Sequence, residues 1–63
     1  MKKCLVILEA KKYADRAEGI FKSMKIRWER IWPDRYHVWL KEDDIKHLNE
    51  TLEFMSCIRM EES

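Results

Sequence analysis

Four side chains in this sequence are of the types that bind metals or act as nucleophiles and bases: Cys4, His37, His47 and Cys57. Zinc sites usually present such residues in close pairs, for example Cys-x2-Cys or His-x3-His, whereas these four are scattered singly. A nucleophile–base–acid set needs three groups held on a scaffold, and nothing in this spacing selects one. We therefore expect no metal, no cofactor and no enzymatic activity.

A second group of residues is typical of binding. Four aromatic residues fall within twelve positions, and three arginines lie among them: Trp28, Trp32, Tyr36 and Trp39, with Arg27, Arg30 and Arg35. Trp and Arg dominate interface hot spots because they bury a large area and keep directional hydrogen bonding. The stretch predicts a contact surface, and we expect Tyr36 and Trp28 to be the members that belong to the core.

The first half of the chain predicts a strand and then a helix. The segment from Lys3 to Glu9 is a short, continuous apolar run with β-branched residues at its centre, which indicates a strand that is apolar on both faces. From about Lys12 to Met24 the apolar residues recur with a helical period. Gly19 lies inside this helix, and a close approach of helix to sheet would explain it.

A hairpin follows, with arms at Ile26–Trp32 and Arg35–Leu40. Pro33 marks the bend because it presets φ and cannot sit inside a ladder. The second arm alternates, with Tyr36, Val38 and Leu40 on one face and Arg35, His37 and Trp39 on the other. In the first arm, the same rule sets Ile26, Trp28, Arg30 and Trp32 against Arg27, Glu29 and Ile31.

The last third predicts a second helix and a short strand. Three carboxylates at Glu42–Asp44 suit a helix N-terminus, both as caps and for the helix dipole. Apolar residues with a helical period then predict a helix from about Asp43 to Met55. The tail Ser56–Glu61 alternates weakly and is expected to form an edge strand.

The element order is β-α-β-β-α-β within a single domain, 1–63. Right-handed crossovers favour a four-stranded antiparallel sheet in the order 4-1-3-2 with both helices on one face, a minimal ferredoxin-like α+β sandwich. This order places the doubly apolar first strand in the middle. It also sets Cys4 and Cys57 near the starts of antiparallel neighbours, so we expect them at opposite ends of the sheet, beyond the Cα separation of about 7 Å that a disulfide tolerates, and free.

The face without helices is the predicted interaction site. It carries either Leu5 and Ile7 or Cys4, Val6 and Leu8, depending on which row of the first strand the helices cover, and Arg59 among its charges. An apolar centre with a charged rim is the anatomy of an interface. Our candidate partner-binding residues are Trp39, Trp32, Arg35, His37, Arg27, Ile31 and Arg30.

Composition limits the class of protein. The chain has 63 residues, of which 40% are charged and 46% hydrophobic, and a net charge of +1. No apolar run approaches the roughly 18 residues of a membrane-spanning helix, and the apolar segment after Lys3 is too short for a signal peptide. We expect a cytoplasmic protein. Charge is lopsided, because residues 1–41 carry a net +6 and residues 42–63 a net −5.

These features favour a small non-enzymatic module that binds, and inhibits or modulates, a protein partner. Small cofactor-free proteins of this kind are typical of phage or mobile-element inhibitors and of small regulatory subunits. A homodimer, formed through the open face or a sheet edge, is a companion hypothesis. The alternative is a single-stranded nucleic-acid-binding protein that stacks bases on the same aromatic and basic face. Against it, the third strand lacks the glycine of RNA-recognition motifs, and the pI of about 7.8 is modest for a phosphate binder.

Overall fold

A computed structural model describes residues 1–60 and contains the six predicted elements in the predicted order. The strands are β1 (Lys2–Leu8), β2 (Trp28–Trp32), β3 (Arg35–Leu40) and β4 (Met55–Arg59), and the helices are α1 (Ala14–Met24) and α2 (Glu42–Thr51). A single 3₁₀ turn, Lys11–Tyr13, leads into α1.

The four strands form one antiparallel sheet in the order β2-β3-β1-β4, which confirms the predicted ferredoxin-like arrangement. β1 lies in the middle and pairs with β3 on one side and β4 on the other, so that Val6 is opposite both Tyr36 and Cys57. A strand with neighbours on both sides and apolar residues on both faces is suited to this central place.

The helices cover the sheet face that carries Cys4, Val6 and Leu8, which settles the alternative that the sequence left open. These residues join a core contributed by every strand and helix except β2, which supplies only partly buried Trp28. The core consists of Cys4, Val6, Leu8, Ala14, Ala17, Phe21, Tyr36, Val38, Leu40, Ile45, Leu48, Phe54, Met55 and Cys57. The other row of β1, with Leu5 and Ile7, faces away from the helices and is half-buried.

A bulge in β2 overturns the predicted face of Trp32. Trp28 and Arg30 lie opposite Val38 and Tyr36 on the helix side, as expected, but the register then shifts and Trp32 lies opposite Arg35. Because residues opposite each other in a ladder point to the same face, the extra residue moves Trp32 to the open face. β2 is also shorter than predicted, beginning at Trp28 rather than Ile26.

The second helix ends earlier than its apolar period predicted. α2 stops at Thr51, and Met55, which was assigned to the helix, is the first residue of β4 and is buried. The N-cap is Lys41 in an extended conformation with no side-chain cap, so the acidic residues that follow lie in the first turn without capping it. The predicted strand extended to Glu61, which lies outside the described residues.

Two further expectations were wrong about β4. Cys57 lies opposite Val6, and Cys4 lies opposite Arg59, so the two cysteines are diagonal neighbours rather than residues at opposite ends. Both are free and buried, as expected, since diagonal Cα atoms are about 7–8 Å apart and a disulfide rarely spans more. Arg59 belongs to the helix-side row and pairs with Glu42, and so is not a residue of the open face.

The outer edge of β4 is covered by a side chain. The Asn49 amide Nδ2 donates to the Cys57 carbonyl at 3.0 Å, while the Cys57 N–H donates to Asn49 Oδ1 at 2.8 Å. The asparagine thus pairs with the middle of the edge strand as a further strand would. Covered edges of this kind block extension of a sheet by another chain.

The single glycine of the chain is not where the backbone needs one. Gly19 is exposed, and a Cβ built there meets nothing within 4 Å, so the expected close approach to the sheet is wrong. By contrast, Lys25 closes α1 in the left-handed region, with φ 56°. There the Ile26 N–H donates to the Phe21 carbonyl at 3.4 Å and the Lys25 N–H to that of Lys22 at 3.2 Å, which is a Schellman motif.

Replacement of this glycine is expected to stabilise the protein. Gly19→Ala should raise the free energy of unfolding by about 0.5–1 kcal/mol, because alanine restricts the unfolded chain and nothing opposes its methyl group. A urea titration followed by circular dichroism measures the change. A loss of stability would show that the helix surface at this position is packed against another group.

A polar network closes the core at the β2 side. The Tyr36 ring is fully buried, and its hydroxyl donates to Glu18 Oε2 at 2.7 Å. The same carboxylate oxygen lies 3.7 Å from Arg30 Nη1. Burial, and then the hydrogen bond to Glu18, raise the pKa of Tyr36 from 10.0 to about 12.

This shift predicts the alkaline limit of the fold. Because the pKa of Tyr36 is higher in the folded than in the unfolded chain, its contribution to stability is complete below about pH 10 and is lost as the pH rises through about 12. In a Tyr13→Phe background, ultraviolet phenolate absorbance should therefore appear near pH 12. Glu18→Gln should move this midpoint downward, and a midpoint near 10 in the folded parent protein would contradict the buried network.

Candidate interaction face

The sheet surface opposite the helices, called here the open face, is built from three rows of side chains that cross the strands. The register defines them from β4 to β2, with Arg27 placed by the hydrogen bond from the Trp39 N–H to its carbonyl and Met60 by its N–H bond to the Lys3 carbonyl. The rows are Met60–Lys3–Trp39–Arg27, then Ile58–Leu5–His37–Glu29, then Ser56–Ile7–Arg35–Trp32.

The first row is a tryptophan held between two cations. The Arg27 guanidinium carbon lies 4.3 Å from the centroid of the Trp39 ring, and the Lys3 ammonium lies 5.8 Å from it. Such cation–π contacts contribute about 0.5–1 kcal/mol at exposed sites. They also fix the orientation of the indole and of the guanidinium before any partner arrives, which reduces the conformational entropy lost on binding.

The centre of the open face is aliphatic. Leu5 and Ile7 of β1 are half-buried, and Ile58 of β4, which lies opposite Leu5, is 49% exposed. At the β2 corner Trp32 is 63% exposed, the largest exposure of any aromatic residue in the described chain. Apolar side chains that remain in contact with water across three strands gain free energy when another surface covers them.

The structure brings five of the seven candidate residues together on this face. They are Trp39, Trp32, Arg35, His37 and Arg27. Arg30 lies elsewhere, on the helix side, where its guanidinium carbon is 5.9 Å from the Tyr36 ring centroid and its Nη2 donates to the Pro33 carbonyl. Ile31 is the residue at which the register shifts, and it is 37% exposed.

Sequence reasoning did not select Lys3, Leu5 or Ile58 as site residues. Lys3 precedes the apolar run of β1 and has no aromatic neighbour in sequence, although its ammonium contacts the Trp39 ring through the β1–β3 pairing. Ile58 was placed in an edge strand with weak alternation. The signal that could have found all three is the central position of β1, because its uncovered row lies between the rows of both neighbouring strands.

The two halves of the sequence charge fall on different surfaces. The open face carries three cations and one carboxylate, Lys3, Arg27, Arg35 and Glu29, for a net +2 with the histidine neutral. α2, which packs on the opposite side, carries four carboxylates and one lysine within Glu42–Thr51. The charges of the two halves therefore do not cancel across the open face.

The groups considered for chemistry are separated in the fold. Burial raises the pKa of the Cys57 thiol to about 11, with a smaller effect of Cys4, and burial is also the largest cause of the raised pKa of Cys4. Buried thiols held in the protonated form are weak nucleophiles. His37 lies on the open face and His47 is exposed on α2. Within residues 1–60 no three His, Cys, Asp or Glu side chains gather into a group that could hold a metal ion.

A shallow depression adjoins the third row, where β1 ends and β4 begins. It has a volume of about 270 Å³, and Ile7, Phe54 and Met55 contribute to its apolar lining, with Glu9 and Glu53 at its polar side. Ile7 and Ser56 belong both to this depression and to the open face, so the two surfaces are continuous.

Comparison with models of known families, with curated proteins and with solved structures finds nothing that matches this chain. Among the described residues no helix is long and apolar enough to cross a membrane. What the chain does must therefore be argued from the geometry of its surface.

Two tryptophans test whether the open face is separate from the core. Trp28 packs on Phe21 and Tyr36, with ring centroids 6.0 and 5.9 Å away, so Trp28→Ala should cost about 3 kcal/mol or more and leave little of the fold. Trp39 contacts cations on the open face, so Trp39→Ala should cost only about 1 kcal/mol. Urea titrations of both variants decide this, and equal destabilisation would place Trp39 in the core.

Proposed function

We propose that this protein is a non-enzymatic interaction module that binds a protein partner through its open face and inhibits or modulates that partner by occupying its surface. The observation that carries the proposal is the uncovered aliphatic centre of a sheet whose other face is closed by two helices. In a chain this small, a central strand with apolar residues on both faces needs cover on both, and the chain supplies it on one.

The composition of the face suits a protein surface. Trp39 and Arg27 are preorganised at one end, Trp32 projects at the opposite corner, and aliphatic side chains lie between them. Anchoring aromatic and arginine residues around an apolar centre are the features that concentrate binding energy in protein interfaces. A face of this kind acts by blocking what it covers and requires no cofactor.

Single-stranded nucleic acid is the second candidate, and the stacked pair of Arg27 and Trp39 is the observation that favours it. Arginine and tryptophan together serve strands by stacking on bases and neutralising phosphates. A titration of labelled single-stranded DNA and RNA at two salt concentrations separates the candidates. Tight binding that falls steeply with salt would make nucleic acid the target.

The homodimer hypothesis is narrowed by the edges of the sheet. Asn49 covers β4. At β2, an antiparallel pair of identical strands centred on Glu29 or Arg30 would set like charges against each other, and the bulge distorts the edge beside them. Face-to-face packing is the form of the dimer that these features leave, and sedimentation at micromolar concentration detects it.

Capture from the native source tests the proposal. Tagged protein should retain a partner that is lost, by at least about tenfold, when the open face is changed by Trp39→Ala or Ile58→Asp, because either change removes an anchor or buries a charge. Quantitative mass spectrometry measures the retained protein. Addition of the purified module to the isolated partner should then lower or alter that partner's activity.

Variants on the opposite side provide the control. Lys46 and His47 are exposed on α2, so Lys46→Ala and His47→Ala should retain the partner as well as the unchanged protein does. Circular dichroism establishes that all four variants are folded. A partner that is retained by folded open-face variants but lost from the α2 variants would reject the open face as the binding site.

A further inference from the structure

We infer that the partner of the open face is a protein surface with an aliphatic centre flanked by carboxylates. The inference rests on the proposed function and specifies the chemistry of the partner. It comes from the charge that the fold collects around Leu5, Ile7 and Ile58, a property that neither the net charge of +1 nor the element order contains.

The cations of the open face are not satisfied within the described chain. Among residues 1–60 the ion pairs join Arg30 to Glu18 and Arg59 to Glu42, so Lys3, Arg27 and Arg35 have no carboxylate within 4.0 Å. Arg27 is stacked on Trp39, and a stacked guanidinium keeps its N–H groups in the ring plane, where they can donate to a carboxylate in bidentate fashion. The partner group that complements this arrangement is Asp or Glu.

The spacing of the cations describes the partner further. Arg27 and Lys3 lie in the first row and Arg35 in the third, which are four residues apart along a strand and therefore separated by about 13 Å. The aliphatic side chains lie on β1 and β4 beside this line. A helix with an apolar stripe bordered by acidic residues presents carboxylates and aliphatic groups at such distances.

A second copy of the chain fits this face less well. Two open faces packed on each other would bring six cations and two carboxylates into one interface, whichever way the two-fold axis runs. Like charges that lose water together oppose association. The acidic α2 lies on the far side of the sheet and does not enter such a dimer.

Nucleic acid also fits less well, because the middle of the face offers no aromatic ring. The second row consists of Ile58, Leu5, His37 and Glu29, and the carboxylate in it repels phosphates. The ring of Trp39 already contacts two cations, so a base would have to displace Arg27 to stack there. Aliphatic side chains pack on aliphatic side chains, which a protein supplies and a nucleic acid does not.

Titration with defined probes, followed by amide NMR of the labelled protein, tests the inference. The first probe is a 21-residue helical peptide with leucine at positions i, i+3, i+4 and i+7 of each repeat and glutamate beside them; the second has glutamine in place of every glutamate. The acidic peptide should shift open-face amides and bind at least about tenfold more tightly than its glutamine version. Arg27→Glu and Arg35→Glu should each weaken it, whereas Lys46→Glu, with the same change of charge on α2, should not.

The outcomes separate the inference from the proposed function. Equal binding of the two peptides at the open face would overturn the acidic partner and leave the face as a binding site. No shift of open-face amides by either peptide would overturn it too, as would tighter binding of a 15-nucleotide oligo-dT probe or a dimer in sedimentation. The proposed function fails separately, when a captured native partner is retained by Trp39→Ala and Ile58→Asp.

Discussion

The structure depends on an imbalance of cover. β1 is apolar on both faces and lies in the middle of the sheet, but the two helices can reach only one of those faces. The row Cys4, Val6 and Leu8 is closed by α1 and α2, while Leu5 and Ile7 are closed only partly, by the side chains of neighbouring strands. Hydrophobic free energy remains to be gained at that surface, and everything proposed about function follows from it.

The hairpin distributes its aromatic residues between two tasks. Trp28 and Tyr36 pack with Phe21 in a cluster that anchors β2 and β3 to α1. Trp39 alternates to the open face, and the bulge beyond Arg30 sends Trp32 there as well. A single extra residue in β2 thus converts a tryptophan of the helix side into a member of the candidate site, because side chains change face at every residue of a strand.

The remaining surfaces are arranged to leave the open face as the main site of contact. Asn49 closes the β4 edge, the bulge and alternating charges discourage pairing at β2, and the acidic α2 lies on the other side of the sheet. The first row meanwhile holds Arg27 and Lys3 against Trp39. Preorganised cations and closed edges together favour docking onto the face over extension of the sheet.

The sequence by itself determined the element order, the strand order and the assignment of Trp28 and Tyr36 to the core, because period-2 and period-3.6 patterns are local and right-handed crossovers restrict the topology. It misplaced the end of α2, where Met55 continues the helical period but is needed in β4. Only the tertiary structure decided which row of β1 the helices cover, that Trp32 faces outward while Arg30 and Arg59 do not, and that Lys3 joins Trp39. These facts depend on a bulge and on the register between strands distant in sequence, and strand register is set by pairing across the sheet rather than by any one segment.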